Sequence, residues 1–159
     1  MTHPSPHKSS LMPVEPQWID YNGHLNMAYY NVLMDRGADQ LFATFGFGPD
    51  YRETTNHTTF SAESHVCYLR EVHEGDLVYV TSQLLDFDEK RFHFYQELYH
   101  EDGWLSATAE GLGLHIDMSG PRVAPMAEAT MNALRDVQAA HQALPWPERA
   151  GRKIGIRKR

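Results

Sequence analysis

The sequence holds one cysteine, Cys67, among 159 residues, so no disulfide can form within the chain. It lies in a stretch rich in β-formers, where a buried structural thiol is expected rather than a nucleophile. Long apolar runs are missing too: none approaches the roughly 18 residues that a membrane helix needs. Residues 1–10 are polar, rich in His and Pro, and lack the apolar centre of a signal peptide. A soluble cytoplasmic protein, with no membrane attachment, is the default expectation. Basic residues are scarce, 14 against 21 acidic ones, for a net charge of −7. Five of the 14 crowd into the last eight positions (Arg152, Lys153, Arg157, Lys158 and Arg159). The remaining body is strongly acidic, which argues against a nucleic-acid partner. The basic end is either a solvated tail or a contact for an anionic ligand. G-x-S-x-G is absent, which disfavours a serine hydrolase. The histidines, among them His24, His65, His73, His93, His100 and His115, show no ligand spacing, so no metal site is expected.

What remains is an ordinary globular composition, 42% apolar, in a chain long enough for one domain with its own core. The expected division is a disordered segment at 1–10, a single domain at 11–145 and a basic tail at 146–159. Pro13 and Pro16 make residues 11–18 a short edge strand. From 27 to 45 the apolar positions Tyr30, Leu33, Met34, Gly37, Ala38 and Leu41 recur three and four apart. That pattern predicts one amphipathic helix, with Asn26 as its cap and the run from Phe45 to Pro49 as its stop. A polar loop is expected at 50–56. Strands follow at 58–69, 77–85, 90–99 and 104–116, with a β-bulge expected around Gly111 and Gly113. Their short connections predict an antiparallel meander. A last helix is expected near 127–143. One long helix must bury its stripe against one face of that sheet. The fold class is α+β, a long central helix wrapped by a curved antiparallel sheet of about five strands.

The densest polar cluster precedes the long helix: Trp18-Ile19-Asp20-Tyr21-Asn22-Gly23-His24-Leu25-Asn26. Any strand-to-helix turn uses Asp, Asn and Gly, so a capping loop explains part of it. A cap needs one such residue, however, and four polar groups gather here. The leading amides of the helix, at Met27 and Ala28, favour developing negative charge. Thioester hydrolysis passes through a tetrahedral oxyanion that such donors stabilise. A carboxylate beside them can activate water or attack the carbonyl itself. Asp20, seven residues before Met27, has that chemistry. Asn22, His24 and Asn26 are candidates to orient water or thioester. Glu63 interrupts an uncharged strand segment and is either a second polar site group or part of a solvated strand face.

The run Asp20-x-x-Gly23-His24-x-Asn26, followed by Tyr29 and Tyr30, resembles the motif of 4-hydroxybenzoyl-CoA thioesterase-like hotdog enzymes. The likeness spans residues 14–125 and includes Glu63-Ser64-His65-Val66-x-Tyr68-Leu69. It implies a hotdog fold, a catalytic aspartate at Asp20 and a carbonyl-polarising amide at Met27. Asp20-x-Asn22-x-His24-x-Asn26 is also similar to the acyl-ACP thioesterase loop. A narrower resemblance, to betainyl-CoA thioesterases of bacterial carnitine breakdown, rests on residues 18–24, Asp86-Phe87-Asp88-x-Lys90-Arg91, His115-x-Asp117 and Gly151-Arg152-x-Ile154. It implies a substrate bearing a quaternary ammonium. The aromatics Trp18, Tyr21, Tyr29 and Tyr30 then become candidates for a cation–π cage, with core and dimer packing as the alternative. Related enzymes contact CoA phosphates where Lys90 and Arg91 stand; an exposed hairpin end is the other reading. Many family members carry a second aspartate at the position of Trp18, which changes the acyl pocket expected here.

An acyl-CoA thioesterase is therefore the leading expectation. No cofactor is expected, CoA being part of the substrate. A hotdog hydratase or dehydratase is disfavoured because its histidine follows the aspartate by five residues, whereas His24 follows Asp20 by four. A non-catalytic acyl-CoA-binding module is the third reading. A one-helix sheet leaves an edge and a face uncovered, so a homodimer or tetramer is expected.

Overall fold

A computed structural model describes residues 3–158; Met1, Thr2 and Arg159, parts of the expected disordered segment and basic tail, lie outside the described residues. The three-and-four spacing yields helix α1 at Met27–Ala43. Asn26 caps it, its backbone extended and its side chain accepting from Ala28 N. The buried stripe is Tyr30, Leu33, Met34, Gly37, Ala38 and Leu41, the positions that the spacing gives. Gly46 and Gly48 hold positive φ of 86° and 147°, which ends the helix where L side chains rarely follow. The polar stretch expected as a loop winds into a short helix α2, Pro49–Thr55. Pro49 opens α2 with φ already set, and with no residue buried it leaves no apolar period to read.

Among the described residues the sheet has seven strands: β1 His7–Lys8, β2 Met12–Pro13, β3 His57–Tyr68, β4 Leu77–Phe87, β5 Arg91–His100, β6 Leu105–Asp117 and β7 Arg122–Val123. The three additions to the four long strands are two-residue pieces that ride on edges or ends. Along the sheet the order is β1-β4-β5-β6-β3, with β2 also beside β4 and β7 beside β6. All pairs are antiparallel. Only β4, β5 and β6 form a meander. The expected place of β3 next to β4 is wrong, because β3 crosses the sheet to pair with β6. Helix α3, Glu128–His141, follows at the β4 end, where His141 Nδ1 accepts from Leu84 N at 2.9 Å.

Helix α1 lies across one sheet face, with Gly37 seated on Val80 of β4. One half of the core gathers Trp18, Leu25, Tyr30, Leu33, Val78, Val80 and Leu98. The other gathers Leu41, Phe45, Phe47, Phe92, Phe94 and Leu134. This is the hotdog arrangement. The bulge expected at Gly111 and Gly113 lies instead in the neighbouring strand, where Ser61 pairs with Gly113 and Glu63 with Leu112. Ala62 is the extra residue, and it places Phe60 on the opposite face from Val66 and Tyr68. The two glycines serve another purpose: a Cβ at 111 would meet Phe94 Cζ at 2.5 Å and one at 113 would meet Phe92 Cζ at 2.2 Å. Bare backbone is the seat for both rings.

Two segments expected to be loose are held. His7 and Lys8 pair with Ser82 and Thr81, and Ser9 is buried with its hydroxyl accepting from Val80 N at 2.9 Å. In the tail, Gly151 N donates to Glu110 Oε2 at 2.7 Å, and just before it Gln83 Nε2 donates to Pro145 O at 3.4 Å. Strand pairing in the first and side chain–backbone hydrogen bonds in both, invisible to hydropathy, hold them. Cys67 is half-buried rather than buried, on the face of β3 where it pairs with Thr108.

Candidate active site

Residues 18–26 fold as a tight turn tied to the helix they precede. Ile19 and Leu25 form an isolated antiparallel bridge, Asn26 N donates to Trp18 O at 2.9 Å, and Leu25 N donates to Val72 O at 2.9 Å. Gly23, at φ 79°, supplies the left-handed residue that brings the chain back. Asp20 therefore projects beside the start of α1. Its Oδ1 accepts from Asn22 N at 2.8 Å and its Oδ2 from Asn26 Nδ2 at 3.3 Å. A carboxylate has about four lone-pair sites, so acceptor capacity is left for a water or substrate.

The amide inventory narrows the expected oxyanion donors to one. Ala28 N is taken by Asn26 Oδ1 at 3.0 Å. Met27 N donates to no group among the described residues. It stands at the positive end of a helix of 17 residues, about 25 Å long. Asp20, Tyr21, Asn22, His24, Asn26, Met27 and Tyr30 line one cleft of about 490 Å³, together with Tyr68, Leu69, Arg70 and Glu71. Gly23 shapes the turn behind it. His24 Nδ1 lies 3.3 Å from Leu25 O, a contact that orients the ring at the rim. Tyr30 is buried, and burial pushes its hydroxyl above the ordinary tyrosine range, so it stays neutral. Tyr21, 97% exposed, touches the cleft only at its mouth.

Other expected site residues lie elsewhere. Trp18 is buried, stacks on Tyr29 with centroids 5.7 Å apart, and carries the Arg36 guanidinium 5.1 Å above its ring. Its π face is already occupied by the protein's own cation. Glu63 sits at the β3 bulge and lines two other cavities, one between α1 and β3 and one beneath the tail. Five residues separate it from Tyr68, about 16 Å along the strand. Lys90 and Arg91 occupy the β4–β5 hairpin at the far end of the sheet. Arg91 pairs with Leu114 and Leu98 with Ala107, which spaces that hairpin about 23 Å from the cleft end of β5. Both cations are answered locally: Arg91 Nε donates to Asp88 Oδ2 at 2.8 Å, and Lys90 Nζ lies 3.7 Å from Glu89 Oε1. The Arg91 guanidinium holds the Asp88 carboxyl below the usual range.

Four cleft residues at the exit of β3 escaped the sequence reading of the site: Tyr68, Leu69, Arg70 and Glu71. Tyr68 was quoted only as part of a family motif. The exit of a long strand, its alternation ending in Tyr-Leu-Arg-Glu, is the one local signal that could have flagged them. Tyr68 Oη donates to Met27 O at 3.1 Å, and Arg70 lies over the Trp104 ring at 3.8 Å. Among the described residues no three His, Cys, Asp or Glu side chains converge to hold a metal ion, and no helix is long and apolar enough to cross a membrane.

The chain is similar in sequence and fold to known proteins. A betainyl-CoA thioesterase of Pseudomonas aeruginosa is 40% identical over 145 residues, 91% of this chain and 91% of that one. An L-carnitine dehydrogenase/betainyl-CoA thioesterase of Agrobacterium fabrum is 34% identical over 86% of this chain, which spans only 28% of that longer protein. A Staphylococcus aureus protein solved in complex with CoA superposes with a TM-score of 0.88 at 28% identity, covering 99% of this chain and all (100%) of that one. Residues 14–134 match the thioesterase-like superfamily. On fold, cleft and sequence together, the chain belongs to the thioesterase-like superfamily and is a hotdog-fold thioester hydrolase.

Proposed function

We propose that the chain hydrolyses a small acyl-CoA, with betainyl-CoA the leading substrate, to the free acid and CoA. The observation that carries this reading is that the Asp20 carboxylate and the Met27 amide, which has no partner among the described residues, line one cleft at the mouth of α1. Asp20 removes a proton from water as the hydroxyl oxygen attacks the carbonyl carbon. The C=O pair moves onto oxygen, and the Met27 N–H receives that oxyanion. Collapse breaks the C–S bond, and the thiolate recovers the proton from Asp20. Direct attack by Asp20, through an anhydride that water then opens, uses the same geometry. Asn26 holds the carboxylate, and Asn22 holds the turn that presents it.

The relative from Pseudomonas aeruginosa supports betainyl-CoA, and the Staphylococcus aureus complex supports CoA as the carrier. Release of CoA from a panel of acyl-CoA esters, followed by thiol trapping, tests the reading. Asp20→Asn is expected to lose about 10²–10⁴ in rate. Full activity in that variant removes Asp20 from the mechanism.

The active form in this proposal is a homodimer. Among the described residues β3, twelve residues long, pairs with β6 on one side only, and its other edge is free with Phe60 exposed beside it. An edge of that length is closed by a second copy. Light scattering is expected to give a multiple of 18.2 kDa; a monomer at micromolar concentration would contradict it. A cytoplasmic setting completes the proposal and fits the thioester substrate.

A further inference from the structure

The thioesterase reading leaves open how the cleft would recognise its acyl group, and geometry limits the choice sharply. In a trimethylammonioacetyl thioester the nitrogen stands two bonds from the carbonyl carbon, about 2.5 Å away, as N and C do across any Cα. Whatever binds that cation must therefore line the same cleft as the group that polarises the carbonyl. A quaternary ammonium also has no N–H to donate, so aromatic faces and a neighbouring carboxylate are what recognise it.

This proximity test sorts the aromatics. Trp18 and Tyr29 stack on each other, Trp18 carries Arg36, and neither lines the cleft. Tyr68 is fixed against the first residue of α1 by its hydrogen bond to Met27 O at 3.1 Å. Tyr30 meets the Tyr68 ring edge to face, centroids 5.1 Å apart at 80°. The Tyr30 hydroxyl in turn accepts from Val72 N at 3.4 Å, which locks the supporting ring. Tyr30 is buried and Tyr68 is 44% exposed, so one ring braces while the other presents surface to the cleft. Glu71, three residues further on, lines the same cleft and makes no hydrogen bond or ion pair among the described residues. Arg70 opposes a cation, but its guanidinium is drawn over Trp104 at 3.8 Å.

We propose that Tyr68, braced by Tyr30, and Glu71 form the subsite that selects a quaternary ammonium next to the thioester carbonyl. The proposal rests on the thioesterase reading and deepens it. Tyr68 supplies the aromatic face and Glu71 the countercharge. Charge, not shape, is then the basis of selection.

The test compares betainyl-CoA with 3,3-dimethylbutyryl-CoA, in which carbon replaces the nitrogen and the shape is retained without the charge. The wild-type dimer is expected to favour the cationic ester by about tenfold or more in kcat/KM. Tyr68→Leu and Glu71→Gln are each expected to lower that ratio by roughly three- to thirtyfold. Tyr68→Phe keeps the ring and is expected to keep most of the ratio although it loses the hydroxyl bond to Met27. That variant separates recognition from the bracing of α1. A wild-type ratio near one with both esters hydrolysed, or equal losses on both esters in the Leu and Gln variants, overturns the subsite and leaves the thioesterase intact. Hydrolysis of neither ester by the wild type overturns both.

Discussion

Gly37 offers a direct test of how closely α1 sits on the sheet. It lies in the middle of the helix, buried, and faces Val80 of β4. A Cβ at this position would stand 2.6 Å from Val80 Cβ and 2.7 Å from Cγ1. Carbon atoms settle at about 3.5–4.0 Å, so helix and strand would have to part by roughly 1 Å. Val80 Cβ is tied to the backbone and cannot rotate aside. Overpacking of this kind costs about 1–3 kcal/mol, while replacing a mid-helix glycine by alanine returns about 0.5–1 kcal/mol. Gly37→Ala is therefore expected to destabilise, by up to about 2.5 kcal/mol. For a chain of this length, each kcal/mol lowers Tm by about 2–4 °C. Calorimetry and urea titration should both register the loss. A Tm equal to or above the wild type would refute the close seating of α1 on β4, because helix propensity alone would have decided the outcome.

Asn26→Ala removes the cap on Ala28 N and the hold on Asp20 Oδ2 together. It is expected to cost about 1 kcal/mol in stability and to lower kcat by less than Asp20→Asn does; unchanged kcat would show that the carboxylate is positioned without it. The buried imidazoles His115 and His141 set a pH dependence. Burial, the largest cause in each, pushes both below the ordinary histidine value. The unfolded chain takes up protons near pH 6.5 that the folded one resists. Stability is thus fully present above that pH and is lost as the pH falls towards the folded values, so urea midpoints should drop between pH 7.5 and 5.5. A flat profile over that window would show both rings to be accessible in the folded state.

The sequence by itself determined what depends on near neighbours. The stripe from Tyr30 to Leu41 marks α1 because residues three and four apart share a helix face, and Asn26 marks its start because a cap acts within two residues. The four long strands show through alternation in the same way. Asp20 and Met27 stood out because the turn that joins them is local, closed by Gly23 and by the hydrogen bond from Asn26 to Trp18. The tertiary structure alone decided what depends on distant pairing. β3 lies beside β6 and not β4, an exchange of backbone hydrogen bonds that side-chain pattern does not encode. That placement brings Tyr68 to Met27, forty-one residues earlier in the chain. Glu63, in the middle of β3, and Lys90 and Arg91, at the β4–β5 hairpin, lie away from that cleft. Gly111 and Gly113 read as a bulge because a missing side chain looks the same in sequence whether the backbone bends or a ring from the next strand needs the space. Local periodicity fixes the elements and the turn that holds the carboxylate, whereas the walls around that carboxylate come from strands whose order only folding sets.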